Sequence, residues 1–174
     1  MGEESDEESP ATCTGRRSWT DADGARSGFA AEVNGDGDTD VLSASRDDDT
    51  IAWYESDGAS PPTFTERIIS TAADGAFSVF AADVDGDGDT DVLSASANDD
   101  TIAWYENDGA SPPAFTERII STAADGAFSV FAADVDGDGD TDVLSASVND
   151  DTIAWYENDG ATPPPFTDPD HPTP

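Results

Sequence analysis

Five carboxylates crowd into nine residues in Asp83-Val-Asp-Gly-Asp-Gly-Asp-Thr-Asp91, and the stretch recurs unchanged at Asp134 to Asp142. A variant, Glu32-Val-Asn-Gly-Asp-Gly-Asp-Thr-Asp40, precedes both. Two unit charges about 4 Å apart repel by roughly 1 kcal/mol in water and about 4 kcal/mol near a protein surface. Such a loop therefore folds only with a counter-cation close by. Gly86 and Gly88 permit positive φ, so the backbone can curl and turn alternate side chains to one centre. A plain solvated turn uses one or two Asp or Gly residues, not seven of nine. Clustered hard oxygens on a flexible loop suit calcium, which takes about 6–8 oxygen ligands in loose geometry. Magnesium demands a tighter octahedron, and zinc wants His or Cys, which these loops lack.

Roles follow from position. Asp83, Asp85 and Asp87 offer carboxylate oxygens from positions 1, 3 and 5. Asp89 at position 7 is expected to offer its backbone carbonyl, and Asp91 at position 9 to close the site. Asp134, Asp136, Asp138, Asp140 and Asp142 repeat this set, and Glu32, Asn34, Asp36, Asp38 and Asp40 form the variant. The longer Glu32 arm crowds its site and Asn34 removes a charge, so the first of about three sites is expected to bind calcium most weakly. An EF-hand is excluded, because that loop needs Glu at position 12, where Ser94 stands here. The flanks also read as strands meeting in a hairpin rather than as helices.

The chain repeats beyond these loops. Trp53, Trp104 and Trp155 are spaced by 51 residues, and windows 65–115 and 116–166 differ only at Ala97/Val148, Ser111/Thr162 and Ala114/Pro165. A period near 50 belongs to solenoids, propellers or arrays, whose units bury their apolar faces on each other. One unit reads as four strands, at about residues 78–84, 91–96, 101–107 and 115–121. Asn98, Asp99 and Asp100 make a turn, and the loop 108–113 ends in Pro112-Pro113, which blocks any ladder. Four short strands per unit predict an all-β, propeller-like array of about three four-stranded antiparallel blades, over residues 26–71, 77–122 and 128–167.

The acidic balance bounds the partners. Forty acidic residues stand against six arginines and no lysine, a formal net charge of −34. Nucleic acid and anionic membranes need basic surface and are therefore poor partners, and no nucleic acid is expected. Residues 1–14 form an acidic tail with no apolar face, expected to be disordered, and they lack the basic start and apolar core of a secretory signal. No stretch is long and apolar enough to span a bilayer. Cys13, the single cysteine, reads as an incidental thiol, and residues 168–174 are a proline-rich tail containing the single histidine, His171.

The run Phe-Ala-Ala-Asp-Val-Asp-Gly-Asp-Gly-Asp-Thr-Asp-Val-Leu followed by Thr-Ile-Ala-Trp-Tyr-Glu-Asn-Asp-Gly resembles the FG-GAP/VCBS repeat family. The resemblance covers about residues 26–166. It implies β-propeller blades like those of integrin α-subunits, acidic loops that bind calcium, and an extracellular or cell-surface adhesion or ligand-binding role. A complete family propeller usually has seven blades, whereas this chain supplies about three. The partners expected are an unidentified protein or carbohydrate, a second copy of the chain, or the remainder of a longer propeller.

No catalysis is expected. The acidic residues recur in every repeat, whereas an active site is normally singular, and no Ser-His-Asp or Cys-His set can be assembled around His171. The alternatives are a non-catalytic accessory region of a larger secreted enzyme, or a lectin-like module that stacks glycans on exposed rings. Trp53, Trp104 and Trp155 are expected to fill the space between blades. Tyr54, Tyr105 and Tyr156, on the opposite face, are the better surface candidates. At the ends, Arg16-Arg-Ser-Trp-Thr20 aligns with the outer-strand segment Arg67-Ile-Ile-Ser-Thr71, so residues 15–20 read as an outer strand with no blade of their own. Residues 166–174 begin like an outer strand and break at prolines, which leaves blade three without one.

Overall fold

Runs such as Asp-Val-Leu-Ser-Ala-Ser point successive side chains to opposite faces, the period of a strand. The computed structural model describes residues 22–167. It forms these runs into twelve strands, with no helix among the described residues. Blade one comprises β1 (Ala25–Ala31), β2 (Asp40–Ser45), β3 (Thr50–Ser56) and β4 (Phe64–Ser70). Blade two comprises β5 (Ala76–Ala82), β6 (Asp91–Ser96), β7 (Thr101–Asn107) and β8 (Phe115–Ser121). Blade three comprises β9 (Ala127–Ala133), β10 (Asp142–Ser147), β11 (Thr152–Asn158) and β12 (Phe166–Thr167). Each blade is an antiparallel meander in sequence order. The three together are a partial propeller-like array.

Pairing register explains the packing. Phe80, Leu93, Trp104 and Arg118 are directly opposite one another across blade two, and Phe29, Leu42, Trp53 and Arg67 match them in blade one. This row lies on the face each blade turns toward its successor. Leu42, Ile51 and Trp53 pack on Val79, Val92, Ala103 and Tyr105 of blade two. Leu93, Ile102 and Trp104 likewise pack on Val130, Ala132, Val143 and Tyr156 of blade three. Trp53 and Trp104 are buried between blades, as expected, whereas Trp155 is only half-buried, because no further blade packs on that face of blade three among the described residues. Each fully buried aliphatic side chain contributes roughly 1.5–3 kcal/mol by transfer alone, so the joints between blades carry the fold.

The innermost strands stack along one edge. Phe29, Phe80 and Phe131 form a column with ring centroids 4.6 Å apart at each step. The Val79 and Val130 N–H groups donate to the Ser27 and Ser78 hydroxyls, both at 3.3 Å. The hairpin turns fix each link to the next blade. Asp49 and Asp100 take left-handed φ of 57° and 58°. From there each accepts from the linker through its carboxylate, Gly75 N–H at 2.8 Å and Gly126 N–H at 2.8 Å.

Three expectations need correction. The tyrosines are not surface rings: Tyr54, Tyr105 and Tyr156 are all buried, Tyr105 and Tyr156 on the face that receives the preceding blade, with the three hydroxyls against Ser43, Ser94 and Ser145. The first strand of blade two starts and ends two residues before 78–84, because Asp91 captures the Val84 N–H and draws that residue out of the ladder. Blade three does have an outer strand, described at Phe166 and Thr167 opposite Asn158 and Glu157. The readings of residues 1–14, 15–20 and 168–174 fall on segments that lie wholly or almost wholly outside the described residues.

Candidate functional site

Each acidic loop joins the innermost strand of a blade to the second strand, and the loop between the third and fourth strands lies against it. In loop two, Gly86 and Gly88 take φ of 75° and 95°, the left-handed region that glycine enters freely. The curl aims loop N–H groups inward. Asp83 accepts from Gly86 N–H at 2.8 Å and Gly88 N–H at 3.0 Å. Asp85 accepts from Asp87 N–H at 3.2 Å, and Asp87 from Asp89 N–H at 2.9 Å. Asp89 lies against the neighbouring loop, where a Cβ on Gly109 would stand 2.2 Å from its carboxylate oxygen. Only a residue without a side chain fits there.

Asp91 is fully buried and fastens the loop to the sheet. One oxygen accepts Val84 N–H at 3.0 Å and the other accepts Asn107 N–H at 2.8 Å. Burial pushes its carboxyl up to about 7, with the Asp85 charge adding to the effect and the two backbone donors opposing it. Asp85 is also pushed up, chiefly by burial and then by the charges of Asp87, Glu106 and Asp83. One carboxylate oxygen each from Asp83, Asp85 and Asp91 lie within 4.8 Å of one another. At that separation a like-charged pair near a surface repels by about 3 kcal/mol. The ion pairs among the described residues, Arg67–Glu55 and Arg118–Glu106, leave this trio without a cationic partner.

Loop three repeats the scaffold. Asp134 accepts from Gly137 N–H at 2.7 Å and Gly139 N–H at 3.2 Å. Asp142, also fully buried, accepts from Val135 N–H at 3.0 Å and Asn158 N–H at 2.9 Å. Here the oxygens brought within 4.8 Å belong to Asp134, Asp136 and Asp138. Asp140 faces Asp138, Asp134, Asp136 and Asp142, and its carboxyl is raised, by desolvation first and then by those charges.

Loop one differs in the way its two substitutions dictate. The Glu32 arm folds back to accept Asn34 N–H at 3.0 Å and Gly35 N–H at 2.6 Å. The Asn34 amide donates to Asp36 at 3.0 Å and to Glu55 at 3.3 Å, a neutral donor where loops two and three carry another carboxylate. Asp38 meets Gly58 as Asp89 meets Gly109. Asp40 is buried like Asp91, accepting Ser56 N–H at 2.8 Å and Val33 N–H at 3.3 Å. Burial raises its carboxyl, with the Asp36 and Glu32 charges adding to it and the two N–H donors opposing it.

Two kinds of residue at these loops were not expected from sequence. Glu55 and Glu106 bring a further carboxylate to the first and second loops while also holding Arg67 and Arg118. Their signal was the glutamate two residues after every blade tryptophan. Asn107 and Asn158 are buried and join consecutive loops. The Asn107 amide donates to the Val33 carbonyl of loop one at 3.0 Å and the Thr90 carbonyl of loop two at 2.9 Å. Asn158 does the same to Val84 and Thr141, at 2.9 and 3.1 Å.

A family model described as FG-GAP-like repeat matches residues 33–94 and again 83–145. Each match runs from one acidic loop through the next. No curated protein matches the chain.

Proposed function

The chain belongs to the FG-GAP-like repeat family, and we propose that it is a calcium-binding, non-catalytic scaffold of propeller blades that serves adhesion or ligand binding outside the cell. The carrying observation is the trio of carboxylate oxygens within 4.8 Å in each of loops two and three. Two oxygens bound to one calcium at about 2.3–2.6 Å each cannot stand more than about 5 Å apart. The trios meet that limit. Every donor is a hard oxygen, which suits calcium and disfavours softer ions. Asp83, Asp85, Asp87, the Asp89 carbonyl and Asp91 would hold the ion in loop two. Asp134, Asp136, Asp138, the Asp140 carbonyl and Asp142 would do so in loop three, and the residues 32–40 set more weakly in loop one. Bound calcium would supply the positive charge these loops otherwise lack.

A binding role fits the recurrence of the acidic set in every blade. The buried tyrosines remove the rings on which a glycan-stacking reading chiefly rested. No helix among the described residues is long and apolar enough to cross a membrane. The extracellular setting rests on the family alone.

Melting with and without calcium tests the reading. A ligand bound by the native state alone adds about 0.4 kcal/mol per site when free calcium equals Kd, and about 1.4 kcal/mol at tenfold above it. With Kd on the order of 10⁻⁴–10⁻³ M, millimolar calcium therefore raises Tm by several degrees over chelator. An unchanged Tm overturns the proposal. The ranking of sites has its own test. Glu32→Asp combined with Asn34→Asp gives loop one the sequence of loop two. Isothermal titration of this variant is expected to show tighter calcium binding at the weakest site, while wild-type affinity throughout would contradict the ranking.

A further inference from the structure

We propose that Asn107 and Asn158 couple the acidic loops, so that calcium held in one loop raises the affinity of the next. The coupling rests on the calcium reading above and adds cooperative filling to it. Asn158 fastens its own loop at several points. Its N–H donates to Asp142 at 2.9 Å, and its amide donates to the Thr141 carbonyl at 3.1 Å. Its amide oxygen accepts Gly160 N–H at 3.0 Å, and Gly160 lies against the Asp140 carboxylate. The same amide also donates to the Val84 carbonyl of loop two at 2.9 Å. Both amide hydrogens are thereby used, one on each loop.

Val84 continues the connection. Asp91 accepts Val84 N–H at 3.0 Å with one oxygen and Asn107 N–H at 2.8 Å with the other. The Asn107 amide reaches the Val33 carbonyl of loop one at 3.0 Å, and Val33 N–H donates to Asp40 at 3.3 Å. One hydrogen-bonded string therefore runs from Asp40 through Val33 and Asn107 to Asp91, and on through Val84 and Asn158 to Asp142. Every member of it is buried.

Asp40, Asp91 and Asp142 close the three proposed sites. An ion that fixes one of them fixes the valine it holds and the asparagine beyond. The shared asparagine is then already ordered when the second ion arrives, and the second ion binds more tightly for it. Linkage makes the effect reciprocal. Charge alone acts the other way, because one bound ion lessens the negative field that draws the next. Stacked sheets lie about 10 Å apart, and exposed charges are screened beyond about 8 Å at about 0.15 M salt. The charge effect fades there, whereas the buried string is unaffected.

Blade one shows the fastening without the link. Ser56 occupies the position of Asn107 and Asn158 in the 51-residue repeat. Its N–H donates to Asp40 at 2.8 Å and its hydroxyl accepts Gly58 N–H at 3.2 Å. Serine has no amide with which to reach a neighbouring loop. Asn158→Ser therefore keeps the bonds to Asp142 and Gly160 and gives up those to the Val84 and Thr141 carbonyls.

Loops two and three are identical in sequence, so independent filling gives a Hill coefficient no higher than one. The test is isothermal titration of the full chain with calcium at about 0.15 M salt, loop one being disabled by Asp36→Ala at an exposed position. Coupling of about fivefold, at the low end of the usual range, gives a Hill coefficient of about 1.4. Asn158→Ser in the same chain is expected to return it to about one with both sites still filled. Asp138→Ala, which disables loop three and leaves Asn158 in place, guards against a serine variant that misfolds. Under fivefold coupling it raises the calcium needed to half-fill loop two by about twofold. A coefficient of one or below before Asn158 is changed, a higher one that survives Asn158→Ser, or a half-filling point indifferent to Asp138→Ala overturns the coupling and leaves calcium binding standing. A chain that binds no calcium overturns both.

Discussion

Asp91→Ala lowers the stability of the array by about 2–5 kcal/mol in chelator, before any metal is considered. The substitution leaves Val84 N–H and Asn107 N–H without their acceptor in a fully buried place, and each stranded donor costs about 1–3 kcal/mol. The damage spreads across the joint, because the same Asn107 carries the amide that holds the Val33 and Thr90 carbonyls. Asp87→Ala is the control. Asp87 is exposed and accepts only Asp89 N–H, so its loss costs under about 1 kcal/mol. Both variants lose calcium from loop two if the proposed function is right. Urea unfolding in chelator separates the structural part from the metal part. Equal costs for the two variants would mean that Asp91 does not fasten the loop, and equal calcium response to wild type would mean that it is no ligand.

The blades were legible in the sequence because strand alternation, turn chemistry and a 51-residue period all pointed the same way. Asp91 to Ser96, Thr101 to Asn107 and Phe115 to Ser121 appear where they were expected. The first strand of the unit was displaced because nothing local reveals that Asp91 takes the Val84 N–H. Tyr105 was misplaced for a related reason. Alternation gives two faces to a strand but does not say that both are covered, and in a stack of blades each sheet is packed on both sides. The acidic loops stood out by composition. Their second layer did not: Glu106 reads as one more surface acid, and Asn107 as a turn residue, until the fold sets them beside Asp85 and Val33.

Ile102→Ala and Ile153→Ala change the same residue in the same local sequence, and they are expected to differ by several kcal/mol. Both isoleucines sit in a Thr-Ile-Ala-Trp-Tyr-Glu-Asn strand. Ile102 is 0% exposed, packed on blade three, whereas Ile153 is 76% exposed. Emptying the buried site costs about 2–5 kcal/mol, and trimming the exposed one costs a few tenths. Local propensity cancels in the comparison, so the difference measures what covers each residue: for Ile102 the neighbouring blade and its outer partner Ser121. Urea unfolding at low protein concentration gives it directly, and equal costs there would deny that the joints carry the stability.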